Sequence, residues 1–198
     1  MRESGVGRVL VASLHQAIGD VLPTRLGFYE HWLHAEGLRD GTIGLAPLYA
    51  VLSFLRQEGA AYDEVTTRAG RYAAQWTVES MRPFTRSTIA RAPLFVRRRA
   101  VLSRVTSLIR MSYDGSRTTS RIRKGVGQVT VHASVFCAVR EPVPHPLCRY
   151  YAAAVEEMLT LFGVESRVTV ESCRAAGGDS CTLCVPFATT PVAKAEAA

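Results

Sequence analysis

Three of the five cysteines of this chain lie close together near its C-terminus, in the segment 171-ESCRAAGGDSCTLCV-185. Grouped thiols can bind a metal ion, form a redox pair or pack as small hydrophobic side chains. A thioredoxin-like redox pair opens a helix after a strand, whereas Cys181 and Cys184 lie within a strand-like stretch. The spacing therefore argues against redox chemistry and leaves the metal and core roles open.

The size of the chain and its predicted cellular compartment both argue against a fold held together by disulfide bonds. The chain has 198 residues, 47% of them hydrophobic, so it can bury a core without covalent links. Polar residues interrupt the N-terminal apolar run at His15, Gln16 and Asp20, so we expect neither a signal peptide nor a membrane span. We therefore predict a cytoplasmic protein whose thiols stay reduced.

The helices and strands that position these thiols can be predicted from a change in the spacing of apolar residues along the chain. Apolar residues recur at helical spacing up to Met111, and from Gly127 they alternate with polar residues as in a half-buried strand. The predicted helices span 6–19, 26–34, 45–57, 63–81, 94–111 and 147–162, and the predicted strands span 117–125, 127–137, 166–173 and 181–187. The fold class is thus α+β, with an α-helical N-terminal half followed by a strand-strand-helix-strand-strand unit that forms an antiparallel sheet.

The residues from 141 to 185 resemble the 4-vinyl reductase domain family. The marks are an acid and a cysteine at Glu171 and Cys173, a second cysteine after a glycine pair at Cys181, and Cys148 opening the preceding helix. The resemblance extends more weakly over the helices and covers 45–187. It implies a fold shared with the small subunits of the TRAPP vesicle-tethering complex and with effector-sensing domains of aromatic-responsive transcription activators.

This resemblance divides the chain into three parts. Residues 45–187 form the ligand-binding domain, and residues 1–44 form N-terminal helices that extend it or support dimerisation. The tail 188–198 has no core-forming pattern and is expected to be loose.

The resemblance implies a structural zinc site formed by Cys148, Glu171, Cys173 and Cys181. Cys148 lies in the first turn of a helix, where the dipole favours a thiolate, and the hairpin brings Cys173 and Cys181 together. Three thiolates and a carboxylate make a closed tetrahedral set. In the sensing relatives the acid stands three residues before the cysteine, a position that Val170 occupies here.

The fourth ligand therefore has alternatives. His145 and Cys184 are each three residues from a cysteine of the set and could take the place of Glu171. Cys137 is expected to keep away from the metal, because the strand pattern directs it to the apolar face of a different strand. Burial of all these cysteines as metal-free hydrophobic residues remains the other interpretation.

The resemblance also implies an apolar or aromatic small molecule bound between the helices and the sheet. The residues on which the matching surfaces of this chain would draw serve equally well as core. They are Tyr72, Trp76, Phe95, Leu102, Val131, Ala133, Val135, Phe136 and Tyr151. The expected function is that of a sensor or carrier that signals through a protein partner, with a TRAPP-like scaffold subunit or an accessory protein of tetrapyrrole metabolism as alternatives.

Further expectations concern activity and partners. No phosphate loop, nucleophile elbow or catalytic carboxylate pair is present, so the sequence indicates no active site. The helices at 45–81 carry more apolar positions than one buried stripe needs, which predicts a homodimer. Residues 91–124 contain ten cationic side chains and a single acid, Asp114. These cations either form a solvated face or attract phosphate, anionic lipid or an acidic partner. Because no aromatic residues are interleaved among them for base stacking, we do not expect a nucleic-acid partner.

Overall fold

The computed structural model describes residues 5–33 and 44–187, and it confirms the α+β class. The helices are α1 (Arg8–Val21), α2 (Leu26–Glu30), α3 (Leu45–Gln57), α4 (Ala60–Glu79), α5 (Pro83–Arg91), α6 (Leu94–Arg110) and α7 (Arg149–Leu161). The strands are β1 (Thr118–Arg123), β2 (Val126–Val131), β3 (Thr169–Ser172) and β4 (Cys181–Pro186). The predicted tail 188–198 and the end of the predicted helix 26–34 lie outside the described residues. None of the described helices has both the length and the apolar composition that crossing a membrane requires.

Helix α4 is the centre of the helical layer and packs against α1 on one side and α7 on the other. The α4–α7 crossing is close because Gly70 has no side chain: a Cβ there would lie 2.2 Å from the carbonyl oxygen of Tyr150. At the other end of the crossing, the Tyr62 hydroxyl donates a hydrogen bond of 3.0 Å to the carbonyl oxygen of Leu147. These contacts fix the start of α7, where Cys148 lies.

Two hairpins form one antiparallel sheet in the order β1-β2-β4-β3. The first turn is the two-residue pair Lys124 and Gly125, both at positive φ (48° and 77°), as a type I′ hairpin requires. Alternate residues of β2 and β4, including Val129, Val131 and Leu183, are fully buried. The sheet therefore presents one apolar face to the protein core.

The predicted strand 127–137 is wrong in its second half. Strand β2 ends at Val131, and Val135–Cys137 form a short 3-10 turn in which the Cys137 N–H bonds to the carbonyl oxygen of Ser134 at 3.2 Å. The reason lies in the partner strands: Val131 pairs with the first residue of β1, Thr118, and with the first residue of β4, Cys181. One more backbone hydrogen bond, from the His132 N–H to the carbonyl oxygen of Arg117 at 2.9 Å, follows Val131, and the chain then turns because neither β1 nor β4 extends farther alongside it.

Candidate metal centre and adjoining interior

Four buried cysteines from four separate elements meet at one end of the sheet. Cys137 ends the 3-10 turn, Cys148 precedes α7, Cys173 follows β3 and Cys181 begins β4. Their sulfur atoms all lie within 4.8 Å of one another. The Cys137 sulfur is 3.4 Å from the sulfurs of both Cys173 and Cys181, and all four residues are free cysteines. These four residues, called the thiol cluster below, could hold a metal ion.

Backbone hydrogen bonds hold the loop between β3 and β4 in the shape that joins Cys173 to Cys181. The carbonyl oxygen of Cys173 accepts from the N–H groups of Ala176 and Gly178, each at 3.0 Å. Between these donors Gly177 adopts a left-handed conformation with φ 89°, which favours glycine. The 174-RAAGGDS-180 segment therefore forms a compact turn that returns the chain to Cys181.

Hydrogen bonds within the thiol cluster shift the pKa values of its members in opposite directions. Hydrogen bonding from Cys137 and its neighbours lowers the pKa of Cys173. Hydrogen bonding with Cys148 also lowers the pKa of Cys137, whereas hydrogen bonding with Cys137 raises the pKa of Cys148 and of Cys181. A metal-free cluster thus favours a thiolate at Cys173 while Cys148 and Cys181 keep their protons, and a bound cation would favour further deprotonation.

Three of the four sequence-predicted ligands lie in the thiol cluster, and Glu171 does not. Among the described residues, the cluster contains Cys148, Cys173 and Cys181 together with Cys137. The Glu171 side chain is exposed on the opposite part of the sheet, where its Oε2 accepts from the Gln128 side chain at 3.5 Å. Sequence reasoning missed Cys137, and the available signal was composition, since a chain with five cysteines can supply four thiolates.

The two alternative ligands also lie outside the cluster. Cys184 is half-buried on β4, and burial and the nearby Glu171 carboxylate raise its pKa. His145 is exposed and lines a surface cleft of about 300 Å³ beside Tyr62 and Leu147. Neither residue belongs to the group of four sulfurs.

Aromatic rings fill the interior next to the thiol cluster. Phe136 stacks on Tyr150 with ring centroids 4.8 Å apart and meets Tyr151 edge-on at 5.4 Å. The two tyrosine rings contact each other at 5.5 Å. All three side chains are fully buried. Because Phe136 precedes Cys137 and the tyrosines follow Cys148, the two segments that build the ring group also supply two of the four thiols.

The hydroxyl groups of this interior have no hydrogen-bond partner. The buried oxygens of Tyr150, Tyr151 and Ser134 each lack a partner within hydrogen-bonding geometry. Burial raises the pKa of both tyrosines, and nearby hydroxyls oppose the shift: those of Ser13 and Ser112 at Tyr150, and that of Ser134 at Tyr151. A buried polar atom left unpaired costs about 1–3 kcal/mol, so the neighbouring hydroxyls of Tyr151 and Ser134 require an explanation.

The residues predicted to contact a ligand divide between the core and the surface. Leu102, Val131, Val135, Phe136 and Tyr151 are buried, and Ala133 is half-buried. Tyr72 and Trp76 stack on each other at 5.6 Å, and the Tyr72 hydroxyl donates to Asp20 of α1. Phe95 is 69% exposed. Of the buried members, Phe136 and Tyr151 are in ring contact, whereas Tyr72 and Trp76 are only half-buried and Phe95 lies at the surface.

No protein-family model matches the chain, and no curated protein matches it. Solved structures share its fold. The phenol-responsive sensory domain of the transcription activator PoxR, solved with phenol, gives a TM-score of 0.52 at 17% identity, covering 72% of this chain and 74% of that chain. A trafficking protein particle complex subunit 3 from Naegleria fowleri, covalently bound to palmitic acid, gives 0.50 at 12% identity, covering 73% and 93%.

An H-NOX protein from S. oneidensis, in its Fe(II)NO ligation state, also gives a TM-score of 0.50, at 10% identity, with 92% of this chain and 99% of that chain covered. At these identities the similarity shows the fold alone. The fold is thus shared with a phenol-responsive sensory domain, a trafficking-complex subunit and an H-NOX protein.

Proposed function

We propose that the chain is a small-molecule-binding domain of the sensor or carrier type, stabilised by one zinc ion in the thiol cluster. The observation that carries this proposal is the position of the cluster beside buried hydroxyl groups that have no partner. The metal would hold the two segments in place, and the ligand would supply the missing hydrogen bonds. The ligand is an apolar or aromatic molecule with one polar group.

The geometry of the cluster favours a single ion with four thiolate ligands. A tetrahedral site with Zn–S bonds of about 2.3 Å separates its sulfurs by about 3.8 Å. The sulfurs here lie within 4.8 Å of one another, with the nearest pairs at 3.4 Å. A cluster of several iron and sulfide ions would hold its cysteines farther apart. Cys137 replaces Glu171 in the proposed ligand set because its sulfur is in the group.

The proposed zinc is structural. All four ligands are buried, so no position is open for a reacting water molecule. Four thiolates make a soft, closed site that suits Zn²⁺, and thiols remain available as ligands in the predicted cytoplasmic compartment. The ion would link β4, the loop after β3, the 3-10 turn and the start of α7.

The unpartnered hydroxyls support a ligand site beside the metal. The phenol bound to the PoxR sensory domain and the palmitic acid bound to the trafficking subunit are both largely apolar molecules. A phenol or carboxylic acid placed next to Tyr151 and Ser134 would pair their hydroxyls. Because Phe136 contacts both tyrosine rings, binding would require this ring to move. We restrict the proposed lining to Val131, Val135, Phe136 and Tyr151.

Iron-based sensing is less well supported. The described histidines, at positions 15, 31, 132 and 145, are exposed or half-buried. They therefore offer no buried imidazole to an iron centre in the core.

Two measurements test the proposal separately. Native mass spectrometry of the purified chain should report one zinc per chain, which tests the metal site. A thermal-shift titration of the zinc-loaded protein with phenol and with palmitic acid tests the ligand site, since a ligand at a hundredfold excess over its Kd stabilises the fold by about 2.7 kcal/mol. Zinc without any thermal shift would favour the scaffold function.

We also propose a homodimer that forms through the helical half, as the sensor and scaffold functions both allow. Tyr49 of α3 remains 37% exposed, and Phe54 on the same helix is half-buried. Tyr62, in contrast, is buried within its own chain and offers no contact surface. Light scattering at micromolar concentration tests this: the mass of a single chain would contradict it.

A further inference from the structure

One segment of the surface combines positive charge with exposed apolar side chains. Residues 82–126 contain twelve arginines and lysines but a single acid, Asp114. Among the described residues, six of the nine exposed large hydrophobic side chains fall within this same segment. They are Phe84, Leu94, Phe95, Val96, Met111 and Val126. A contiguous exposed apolar patch in a monomer usually marks an interaction surface, and Leu94, Phe95 and Val96 are consecutive at the start of α6, so their coincidence with charge indicates the kind of partner.

Two adjoining clefts shape this surface between α6 and the β1–β2 hairpin. One, of about 410 Å³, is lined by Phe95, Arg98, Arg99, Ile122, Gly125 and Phe187. The other, of about 380 Å³, is lined by Arg99, Leu102, Ser120, Arg121 and Ile122. They share Arg99 and Ile122, and the two together are called the arginine groove below. Both clefts are lined by arginine and apolar side chains.

Several arginines of this surface form no ion pair with another described residue. Elsewhere arginines pair with carboxylates, as Arg25 does with Glu58 and Arg149 with Asp63. No ion pair between described residues involves Arg99 or Arg121 of the groove. The same holds for Arg104 and Arg123 nearby. The groove therefore presents a positive potential to solvent.

We propose that the arginine groove docks on an anionic lipid bilayer. Basic side chains next to exposed aromatic and aliphatic groups suit the membrane interface, where phosphates attract the guanidinium groups and the acyl region accepts the apolar groups. Phe95, which is 69% exposed, would enter the interface beside Arg99. A nucleic acid would satisfy the arginines but would gain nothing from the exposed Leu94, Val96 and Val126. The proposed attachment is peripheral, through side chains at the protein surface.

Vesicle co-sedimentation of the full chain tests this proposal. We expect the protein to sediment with vesicles of phosphatidylcholine mixed with phosphatidylglycerol and to remain in solution with phosphatidylcholine alone. Added salt should release it, because exposed charges are screened. The double variant Arg99→Gln/Arg121→Gln should weaken binding about tenfold or more. Phe95→Ser should weaken binding while the salt dependence stays the same.

Control variants that lose the same number of charges elsewhere distinguish binding through the arginine groove from attraction by the net charge of the protein. The variant Arg25→Gln/Arg149→Gln removes two exposed arginines elsewhere, and Phe28→Ser removes a phenylalanine that is 48% exposed outside the segment. Both should bind vesicles like the native chain. Equal binding by the Arg99→Gln/Arg121→Gln variant, or binding to a single-stranded oligonucleotide without binding to anionic vesicles, would overturn the proposal. Melting curves of each variant verify that it is folded.

Discussion

The sulfur of Cys137 lies 3.4 Å from the sulfur of Cys173, although 36 residues separate them in the chain. We predict that Cys137→Ser abolishes zinc binding, because three remaining thiolates leave the tetrahedral site incomplete. With free zinc at a thousandfold excess over its Kd, the native chain should then exceed this variant by about 4 kcal/mol in unfolding free energy. Metal analysis and thermal melting of the purified variant provide the measurement.

Two variants serve as controls for this ligand set. Cys184→Ser and Glu171→Gln alter side chains outside the thiol cluster and should keep one zinc per chain. Retention of zinc by Cys137→Ser together with its loss from Glu171→Gln would restore the carboxylate as the ligand.

The local sequence pattern was sufficient to predict the order of helices and strands, but it did not predict that Cys137 joins the thiol cluster. The helical stripes and the alternation from Gly127 depend on residues near in sequence, and the α+β class follows from them. The end of β2 at Val131 depends instead on where β1 and β4 begin, which are distant segments. Continuing the alternation past Val131 placed Cys137 on the apolar face of the strand, whereas the 3-10 turn brings it into the thiol cluster.

The prediction of residues that contact a small molecule had a similar limit. The helical pattern marks Tyr72 and Trp76 as an apolar stripe of α4, but it does not say which neighbour covers that stripe. In the structure Tyr72 bonds to Asp20 of α1. The burial of Phe136 depends on the 3-10 turn, since the alternation of the predicted strand groups it with Ser134 on the polar side. The unpartnered environment of the Tyr151 hydroxyl depends on Ser134 and on packing across segments.

Gly70→Ala should destabilise the protein by about 1–3 kcal/mol, the usual cost of overpacking. The added Cβ would lie 2.2 Å from the Tyr150 carbonyl oxygen and 3.0 Å from the Cβ of Ala153, so α4 and α7 must separate. Gly27→Ala on α2 is the matched control, since its Cβ meets nothing within 4 Å. Denaturant unfolding measures both, and equal stability of the two variants would show that the crossing adapts without cost.

The pair between Tyr72 and Asp20 predicts a pH dependence of stability. The Tyr72 hydroxyl lowers the pKa of the Asp20 carboxyl from its usual 3.8, so this contribution is present above that value and is lost as the pH falls through the lower folded-state value. Hydrogen bonding to Asp20 raises the pKa of Tyr72 above 10.0, so the contribution is also lost as the pH rises through that raised value. Both side chains are solvent-accessible, so the effect should be small.

The measurement is the difference in unfolding free energy between the native chain and Tyr72→Phe across pH. The difference should be greatest near neutral pH and should shrink toward acid and toward strong alkali. Tyr49→Phe, an exposed tyrosine on α3, is the control and should show no such profile. A difference independent of pH would mean that the hydroxyl does not bond to the carboxylate in solution.

Tyr151→Phe distinguishes an interior that accepts a ligand from one that is simply filled. The Tyr151 hydroxyl is buried and unpartnered, so its removal should leave the zinc-loaded, ligand-free protein at least as stable, with a gain of up to about 1–3 kcal/mol. Tyr62→Phe is the matched control: its hydroxyl donates to Leu147 at 3.0 Å, and losing that bond should cost about 1 kcal/mol.

Ligand binding should be weaker in Tyr151→Phe, even though its ligand-free stability should not fall. If the Tyr151 hydroxyl pairs with the polar group of a bound phenol, the thermal shift that phenol produces should be smaller in Tyr151→Phe than in the native chain, while Tyr62→Phe keeps the native shift. A loss of stability in Tyr151→Phe equal to that in Tyr62→Phe would show that the hydroxyl already has a partner in the folded protein. The unpaired oxygen would then no longer indicate a ligand, and the scaffold function would be preferred.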